Sequence, residues 1–185
     1  MQSTTNLPSL ALQLGATRAA IVEVSQIQFS DTFRQLCELN SCGKYNASWM
    51  CPPAIGPCDE LRNKVLEFDQ GLVVQTVYYL EDSFDFEGMM TAAAIHEKVF
   101  RDILNRVRDE HLLDPFLALN AGVCKFCENC SYPDRECLYP DEALSSVEAH
   151  GIDVTALVTA CGIPYNNGPA SVSYVGMILF KSTGQ

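Results

Sequence analysis

The sequence carries little positive charge. It has 12 Lys and Arg residues against 23 Asp and Glu residues, which gives a formal net charge of −11 at pH 7. A nucleic-acid-binding protein needs a basic surface to neutralise phosphates, and a protein that docks on anionic lipid needs one as well. The composition therefore argues against both classes. It fits a basic protein partner, and it fits plain solubility equally well.

The sequence also lacks the features of an exported or membrane-bound chain. Its first residues, Met-Gln-Ser-Thr-Thr-Asn-Leu-Pro, contain neither the basic start nor the apolar core of a signal peptide. No apolar run approaches the length that crosses a bilayer. We therefore expect a cytoplasmic protein without a membrane partner, in a reducing compartment where thiols stay available for metal.

Patterns that would name another chemistry are missing too. There is no phosphate-binding loop, no dinucleotide-binding glycine pattern and no Ser–His pairing typical of a hydrolase. The carboxylates show no spacing that singles out an acid–base pair. The sequence thus leaves open whether the protein is an enzyme.

The overall composition is that of a folded protein. Apolar residues make up 48% of the chain and charged residues 19%. A chain of 185 residues can bury about 70% of the surface that it exposes when unfolded. We predict a single domain that spans residues 1–185.

Nine cysteines are the most informative feature of the sequence. Cys124, Cys127 and Cys130 recur at every third position, and Cys137 follows. Three thiolates at this spacing can wrap a tight loop onto three irons of a 4Fe-4S cluster, while the fourth iron takes a ligand from further along. A structural zinc site separates two Cys-x-x-Cys pairs by about 12–20 residues and does not need a middle cysteine. The spacing favours a cluster over zinc or over unligated buried cysteines.

Another group of four cysteines lies earlier in the chain. Its members are Cys37, Cys42, Cys51 and Cys58. Glycines and prolines between Cys42 and Cys58 argue against a helix or strand there. A long loop without regular structure needs something to hold it, and a metal bound by its cysteines would do so. Trp49 and Tyr45 are placed to shield such a centre from water. The alternative is a proline-stiffened surface loop with incidental cysteines.

The ninth cysteine, Cys161, has no partner in either group. The odd number of cysteines and their tight spacing argue against a purely disulfide framework. We interpret Cys161 as a small buried thiol, with a role as a spare metal ligand as the alternative.

Strand and helix patterns alternate along the chain. Apolar, β-branched runs predict strands over residues 20–29, 72–80, 115–119 and 171–180. Amphipathic patterns and capping residues predict helices over residues 7–14, 32–39, 59–68, 89–111, 140–150 and 154–160. We expect an α/β or α+β fold, with a central sheet of about four strands flanked by helices. Two cysteine-rich, cluster-binding loops, residues 37–58 and 124–137, would project from it.

The longest predicted helix shows a clear apolar stripe. Ile95, Val99, Ile103 and Val107 follow one another at steps of four. His96 lies beside the stripe, and we expect it at the surface or at the boundary of the core. A lone histidine on such a helix is seldom a metal ligand.

Three stretches resemble one known family. They are Cys42…Tyr45…Trp49-Met-Cys51-Pro-Pro, Gly122-Val-Cys-Lys-Phe-Cys-Glu-Asn-Cys130 and Ser146-Val-Glu-Ala-His-Gly-Ile-Asp-Val154. In this order they are similar to the predicted metal-binding proteins of domain of unknown function 2284, a family mainly of anaerobic bacteria and archaea. The resemblance covers roughly residues 37–165. Ser145 and Asn46 stand where the family pattern has proline and glycine, and neither is a proposed ligand.

The resemblance implies metal binding and no particular reaction. It implies eight cysteine ligands, which fall on Cys37, Cys42, Cys51, Cys58, Cys124, Cys127, Cys130 and Cys137. Eight thiolates in two groups suggest two 4Fe-4S clusters. Lys44 and Lys125, each close to a ligand in sequence, would offset part of the negative charge, unless they are ordinary solvated lysines.

A cluster with four cysteine ligands has no open iron, which leaves electron transfer or a structural role. Our first hypothesis is an electron carrier that serves a redox protein partner. The second is a zinc-binding structural or interaction module. The third is an enzyme that uses a cluster with an open iron site. The earlier group is the candidate for that site, because Cys37 lies on a predicted helix and need not reach the metal.

Overall fold

The computed structural model describes residues 6–182, so residues 1–5 and 183–185 of the predicted domain lie outside the described part of the chain. The described residues form five α-helices and a five-stranded sheet. The helices are α1 (Leu7–Gln13), α2 (Thr32–Glu38), α3 (Cys58–Leu66), α4 (Phe86–Asp109) and α5 (Val154–Ala160). The strands are β1 (Arg18–Glu23), β2 (Gln70–Tyr79), β3 (Phe116–Asn120), β4 (Ser145–Ser146) and β5 (Ser171–Phe180). Short 3-10 turns cover Val24–Gln26 and Glu148–His150.

The sheet has the strand order β1-β2-β5-β3-β4. Neighbouring strands run antiparallel, except for the parallel pair β3–β4. Strand β2 pairs on both sides, with Val74 opposite Ala19 on one side and Gly176 on the other. Strand β2 therefore lies inside the sheet, as its apolar sequence predicts. The mixed α and β class predicted from the sequence is confirmed, with a short fifth strand added.

The apolar core lies on both faces of the sheet. Successive residues of β2 point to opposite faces, so that Leu72 and Val74 join one cluster and Val73 joins the other. The first cluster is completed mainly by α1 and α4, and the second by α3, α5 and the 3-10 turns. The sheet is therefore a central layer between helices.

Helix α4 begins at a capping residue. The Asp85 carboxylate accepts a hydrogen bond of 2.8 Å from the Gly88 amide, which satisfies a free N–H of the first turn. Most of the predicted stripe is buried, but Ile95 is 44% exposed. The expectation for His96 was wrong, because this side chain is only 1% exposed. The buried face of α4 therefore includes His96 in place of its neighbour Ile95.

Two other predictions were wrong. Residues 140–150 do not form a helix; the chain makes a turn in which Ala143 donates to the Tyr139 carbonyl, and β4 and the turn Glu148–His150 follow. Strand β1 ends at Glu23 rather than at residue 29. The Val24 amide instead donates to the Asp69 carbonyl, at the start of a 3-10 turn.

Two long segments without helix or strand carry most of the cysteines. We call residues 39–57, between α2 and α3, the first loop, and residues 121–144, between β3 and β4, the second loop. The parallel pairing of Leu119 with Ser145 and of Asn120 with Ser146 closes the second loop at its base. Both loops are therefore anchored at their ends by regular structure.

No helix within residues 6–182 combines the length and the apolar character that crossing a lipid bilayer demands.

Candidate metal centre

The second loop folds around a small cavity. Cys124, Cys127, Cys130 and Cys137 all line it, and its volume is about 80 Å³. About 10–15 Å³ is enough for one water, so the cavity has room for several atoms. The four cysteines that the sequence groups together therefore surround one space.

The four thiols are close enough to influence one another. Loss of hydration raises the pKa of Cys127, and negative charge on Cys124, Cys137 and Cys130 raises it further. Within the described chain, however, no three His, Cys, Asp or Glu side chains converge closely enough to hold a single metal ion. Sulfurs that bind one zinc ion must all lie about 2.3 Å from it. The described residues therefore show no preformed site for a single metal ion.

Cys51, at 8% exposure, is the buried cysteine of the first loop. Burial raises the pKa of Cys51 to about 11, negative charge on Cys42, Cys37 and Cys124 acts in the same direction, and a hydrogen bond with Ser48 opposes it. Three cysteines of the earlier group are therefore neighbours. Since Cys124 also acts on Cys51, the two cysteine groups lie side by side.

Cys37 lies near the turn Glu148–His150. Burial raises the pKa of Cys37, and so do the charges of Cys42 and Glu148, whereas Arg34 lowers it. Cys37 is on α2, as predicted, but this helix does not carry it away from Cys42. The position of Cys37 is therefore compatible with metal ligation beside Cys42.

Cys58, the first residue of α3, approaches the same turn from the other side. A Cβ atom added to Gly151 would lie only 3.1 Å from the Cys58 Sγ. Gly151 ends the turn with a φ of +72°, and its carbonyl accepts a 2.7 Å hydrogen bond from the Ser30 amide. A glycine is needed here because of both the left-handed backbone and the close sulfur. The turn thus supports both helices that flank the first loop.

The two loops pack directly against each other. The Trp49 indole N–H donates to the Arg135 carbonyl at 2.9 Å, and the Trp49 ring meets the Tyr132 ring edge-on at 4.9 Å. The Tyr132 hydroxyl donates to the Asn46 side-chain oxygen at 2.5 Å. Trp49 also lines the cavity of the second loop.

Cys130 has polar surroundings. Burial raises its pKa, but the backbone amides of Tyr132 and Trp49, the Ser48 hydroxyl and the Lys44 charge together outweigh burial and lower it. The Ser48 Oγ lies 3.9 Å from the Cys130 Sγ. Buried Ser48 thus contacts cysteines of both groups, and Lys44 supplies positive charge to the cavity.

Residues 20–180 match the family described as predicted metal-binding protein (DUF2284). The chain belongs to this family. The match confirms the resemblance seen over residues 37–165 and extends it across the sheet from β1 to β5. A search of curated proteins and a search of solved structures each found no match.

The third stretch shared with the family, residues 146–154, forms the turn beneath the first loop. Its histidine, His150, is 3% exposed, and burial lowers the pKa of His150 to about 4. The His150 Nδ1 donates to the Ser146 carbonyl at 3.2 Å, which fixes the neutral ring in one tautomer. The motif marked this segment in the sequence, but nothing in its residues indicated that it would support Cys37 and Cys58.

A second buried histidine anchors the second loop, and sequence reasoning missed it. The His96 Nδ1 lies 2.8 Å from the Thr76 hydroxyl, and the His96 Nε2 lies 3.0 Å from the Asn120 side-chain oxygen. Burial lowers the pKa of His96 to about 4; the Asn120 hydrogen bond opposes this shift and the Lys125 charge adds to it. Asn120 is the last residue before the second loop, so His96 fixes the position where that loop starts. The signal was present as four-residue steps from Ala92 to His96 to Phe100.

Cys161 lies apart from both cysteine groups. It is half-buried against the apolar cluster that contains α5, and burial raises the pKa of Cys161 to about 11. These surroundings are those of an apolar packing residue.

Proposed function

We propose that the protein binds two 4Fe-4S clusters and passes electrons to a redox protein partner. The proposed ligands are Cys37, Cys42, Cys51 and Cys58 for one cluster and Cys124, Cys127, Cys130 and Cys137 for the other. The observation that carries the proposal is the placement of the last four thiols around one cavity, beside buried Cys51 of the first loop.

The donor set fits such clusters better than it fits zinc. Cysteine thiolates are the usual ligands of iron–sulfur clusters, and a cavity of about 80 Å³ has room for several atoms. A structural zinc site usually joins two separated Cys-x-x-Cys pairs and does not need a middle cysteine, whereas Cys124, Cys127 and Cys130 recur at every third position. This pattern supports a cluster over a single ion.

The surrounding residues would tune the centres. When bound, such clusters supply one-electron chemistry at potentials set by net charge, hydrogen bonds to sulfur and access of water. Lys44 and Ser48 favour the thiolate of Cys130, and the Trp49 ring would limit the access of water to a bound cluster. Two purely structural sites would have no need to be adjacent. The contact of both groups around Ser48 therefore supports electron transfer over a structural role.

The surface near the second loop suits a protein partner. Phe126, Leu138 and Tyr139 are 40%, 55% and 50% exposed beside the proposed ligands, and the chain has a net charge of −11. A partner with an apolar centre and a basic rim would complement this surface. We propose the reducing cytoplasm as the compartment, because free thiols persist there.

Anaerobic purification followed by reduction with dithionite tests this function. We expect a brown protein whose absorption bleaches on reduction and returns with a mild oxidant. The reduced protein should pass electrons faster to a cationic dye such as methyl viologen than to an anionic dye, and salt should shrink that difference. A colourless, zinc-loaded protein would contradict the proposal and favour the structural module. A spectrum that changes when a small ligand is added would point to an open iron site.

A further inference from the structure

A larger cavity, of about 550 Å³, lies between the two loops and α3. Cavities that bind small molecules commonly measure about 300–1,000 Å³ and have mainly apolar walls with a few polar groups. Trp49, Ile55 and Leu61 form part of its apolar wall, and Cys137 lies at one side. The cavity is thus of a suitable size for a small organic molecule beside the second cysteine group.

His150 gives this cavity a directed hydrogen-bond acceptor. The side chain lines the cavity, and its Nδ1 hydrogen is used by the Ser146 carbonyl. A neutral imidazole with hydrogen on Nδ1 has a lone pair on Nε2. No hydrogen bond within residues 6–182 uses the Nε2, and this atom is open to the cavity rather than sealed from water. An acceptor that faces a cavity can exchange its water for a hydrogen-bond donor on a bound molecule.

Two charged side chains line the cavity. Lys64, on α3, is exposed and lines it, and its positive charge acts on His150. Glu136 lines the same cavity and offers a carboxylate to an ammonium group. The combination of an acceptor, a cation and an apolar wall selects a molecule with a donor, a carboxylate and a short alkyl chain.

We propose that this cavity binds a short-chain carboxylic acid that carries a hydroxyl or amino group next to its carboxylate. The His150 Nε2 accepts a hydrogen bond from that group, Lys64 pairs with the carboxylate, and the alkyl chain packs against Leu61 and Trp49. The inference depends on the cavity and not on which metal the cysteines hold.

Calorimetric titration of the full-length, anaerobically purified protein tests the inference. The probes are 2-hydroxybutyrate, 2-aminobutyrate and butyrate, which differ only at the second carbon. We expect at least one of the substituted acids to bind, and butyrate to bind about tenfold more weakly because it offers the His150 Nε2 no hydrogen-bond donor. Equal binding of all three acids, or no binding at millimolar concentration, would overturn the inference.

Two variants locate the site. Lys64→Gln, at an exposed position, should weaken the substituted acids about fivefold, whereas Lys98→Gln, exposed on α4, should leave their binding as in the native protein. His150→Phe should remove the preference over butyrate. If that variant does not fold, Lys64→Gln and the comparison of the three acids still test whether the cavity binds the substituted acids. Iron measured on the same samples keeps the outcomes separate: iron present without acid binding would overturn this inference alone.

Discussion

Trp49 donates its indole N–H to the backbone carbonyl of Arg135 at 2.9 Å, and this hydrogen bond joins the first loop to the second. Neither loop contains a helix or a strand to hold it. The two loops therefore depend on each other, and on whatever their cysteines bind, for a fixed shape.

Trp49→Phe should loosen this junction. The variant keeps an aromatic ring against Tyr132 but loses the hydrogen bond, which is worth about 0.5–1 kcal/mol at an exposed site. We expect urea unfolding to show a loss of that size and thiol reagents to reach Cys130 faster. Tyr45→Phe is the matched control in the same loop, because within residues 6–182 its hydroxyl has no hydrogen-bond partner. Equal effects of both variants would show that the junction contributes nothing.

Gly151→Ala should disturb the turn that supports the first loop. The new methyl group would lie 3.1 Å from the Cys58 Sγ, at a φ of +72° that costs a residue with a side chain about 1–2 kcal/mol. Gly162→Ala shares the backbone cost, with a φ of +66°, but its methyl group meets nothing within 4 Å. We expect similar backbone destabilisation in both variants, and an additional loss of metal only in Gly151→Ala. Equal metal content in the two purified variants would refute the role of Gly151.

Stability should fall on acidification because of buried histidine. The pKa of His96 is about 4 in the folded protein against 6.5 normally. Between these values the unfolded chain binds a proton that the folded chain does not, so stability rises with pH by up to about 1.4 kcal/mol per unit. Below about pH 6.5 this stability is lost progressively.

His96→Gln should reduce that slope by about half, since glutamine does not titrate and buried His150, with the same lowered pKa, keeps its share. Urea unfolding between about pH 7 and pH 5 measures the slope in the native protein and in the variant. His111→Gln, which removes an exposed histidine after α4, is the control and should keep the native slope. A slope unchanged by His96→Gln would rule out His96 as its source.

Lys44→Gln should lower the reduction potential of the proposed second cluster. The lysine charge acts on Cys130, and its removal makes the addition of an electron harder by a shift on the order of tens of millivolts. Potentiometric titration followed by absorption measures it, with Lys98→Gln as the control on α4. A potential unchanged or raised in Lys44→Gln would contradict the role of this charge.

The regular elements could be predicted because their local patterns agree with their surroundings. The apolar runs of β2 and β5 and the Asp153 cap of α5 needed no tertiary information, and the Asp153 carboxylate does accept from the Ala156 amide at 3.0 Å. The helix expected over residues 140–150 failed for a tertiary reason. Arg108 and Arg101 on α4 bind Glu142, and the following residues pair with β3. Such contacts between distant segments leave no local pattern in the sequence.

The candidate site, too, could be predicted only in part. The spacing of Cys124, Cys127 and Cys130 was sufficient to predict that they share one space. The contact between the two cysteine groups was not predictable, because it depends on Ser48 and Trp49 meeting a loop more than eighty residues away. Sequence spacing describes one loop at a time, whereas the relation of two loops is set by the sheet that carries them.

The most direct test is a count of iron and acid-labile sulfide in the anaerobically purified protein. The account predicts about eight of each per chain in the native protein. Cys51→Ser and Cys127→Ser should each contain about half of the native amount, because each variant loses one of the two clusters. Cys161→Ser should leave the count unchanged. Fewer than about four irons and four sulfides per native chain, or zinc in their place, would contradict the account.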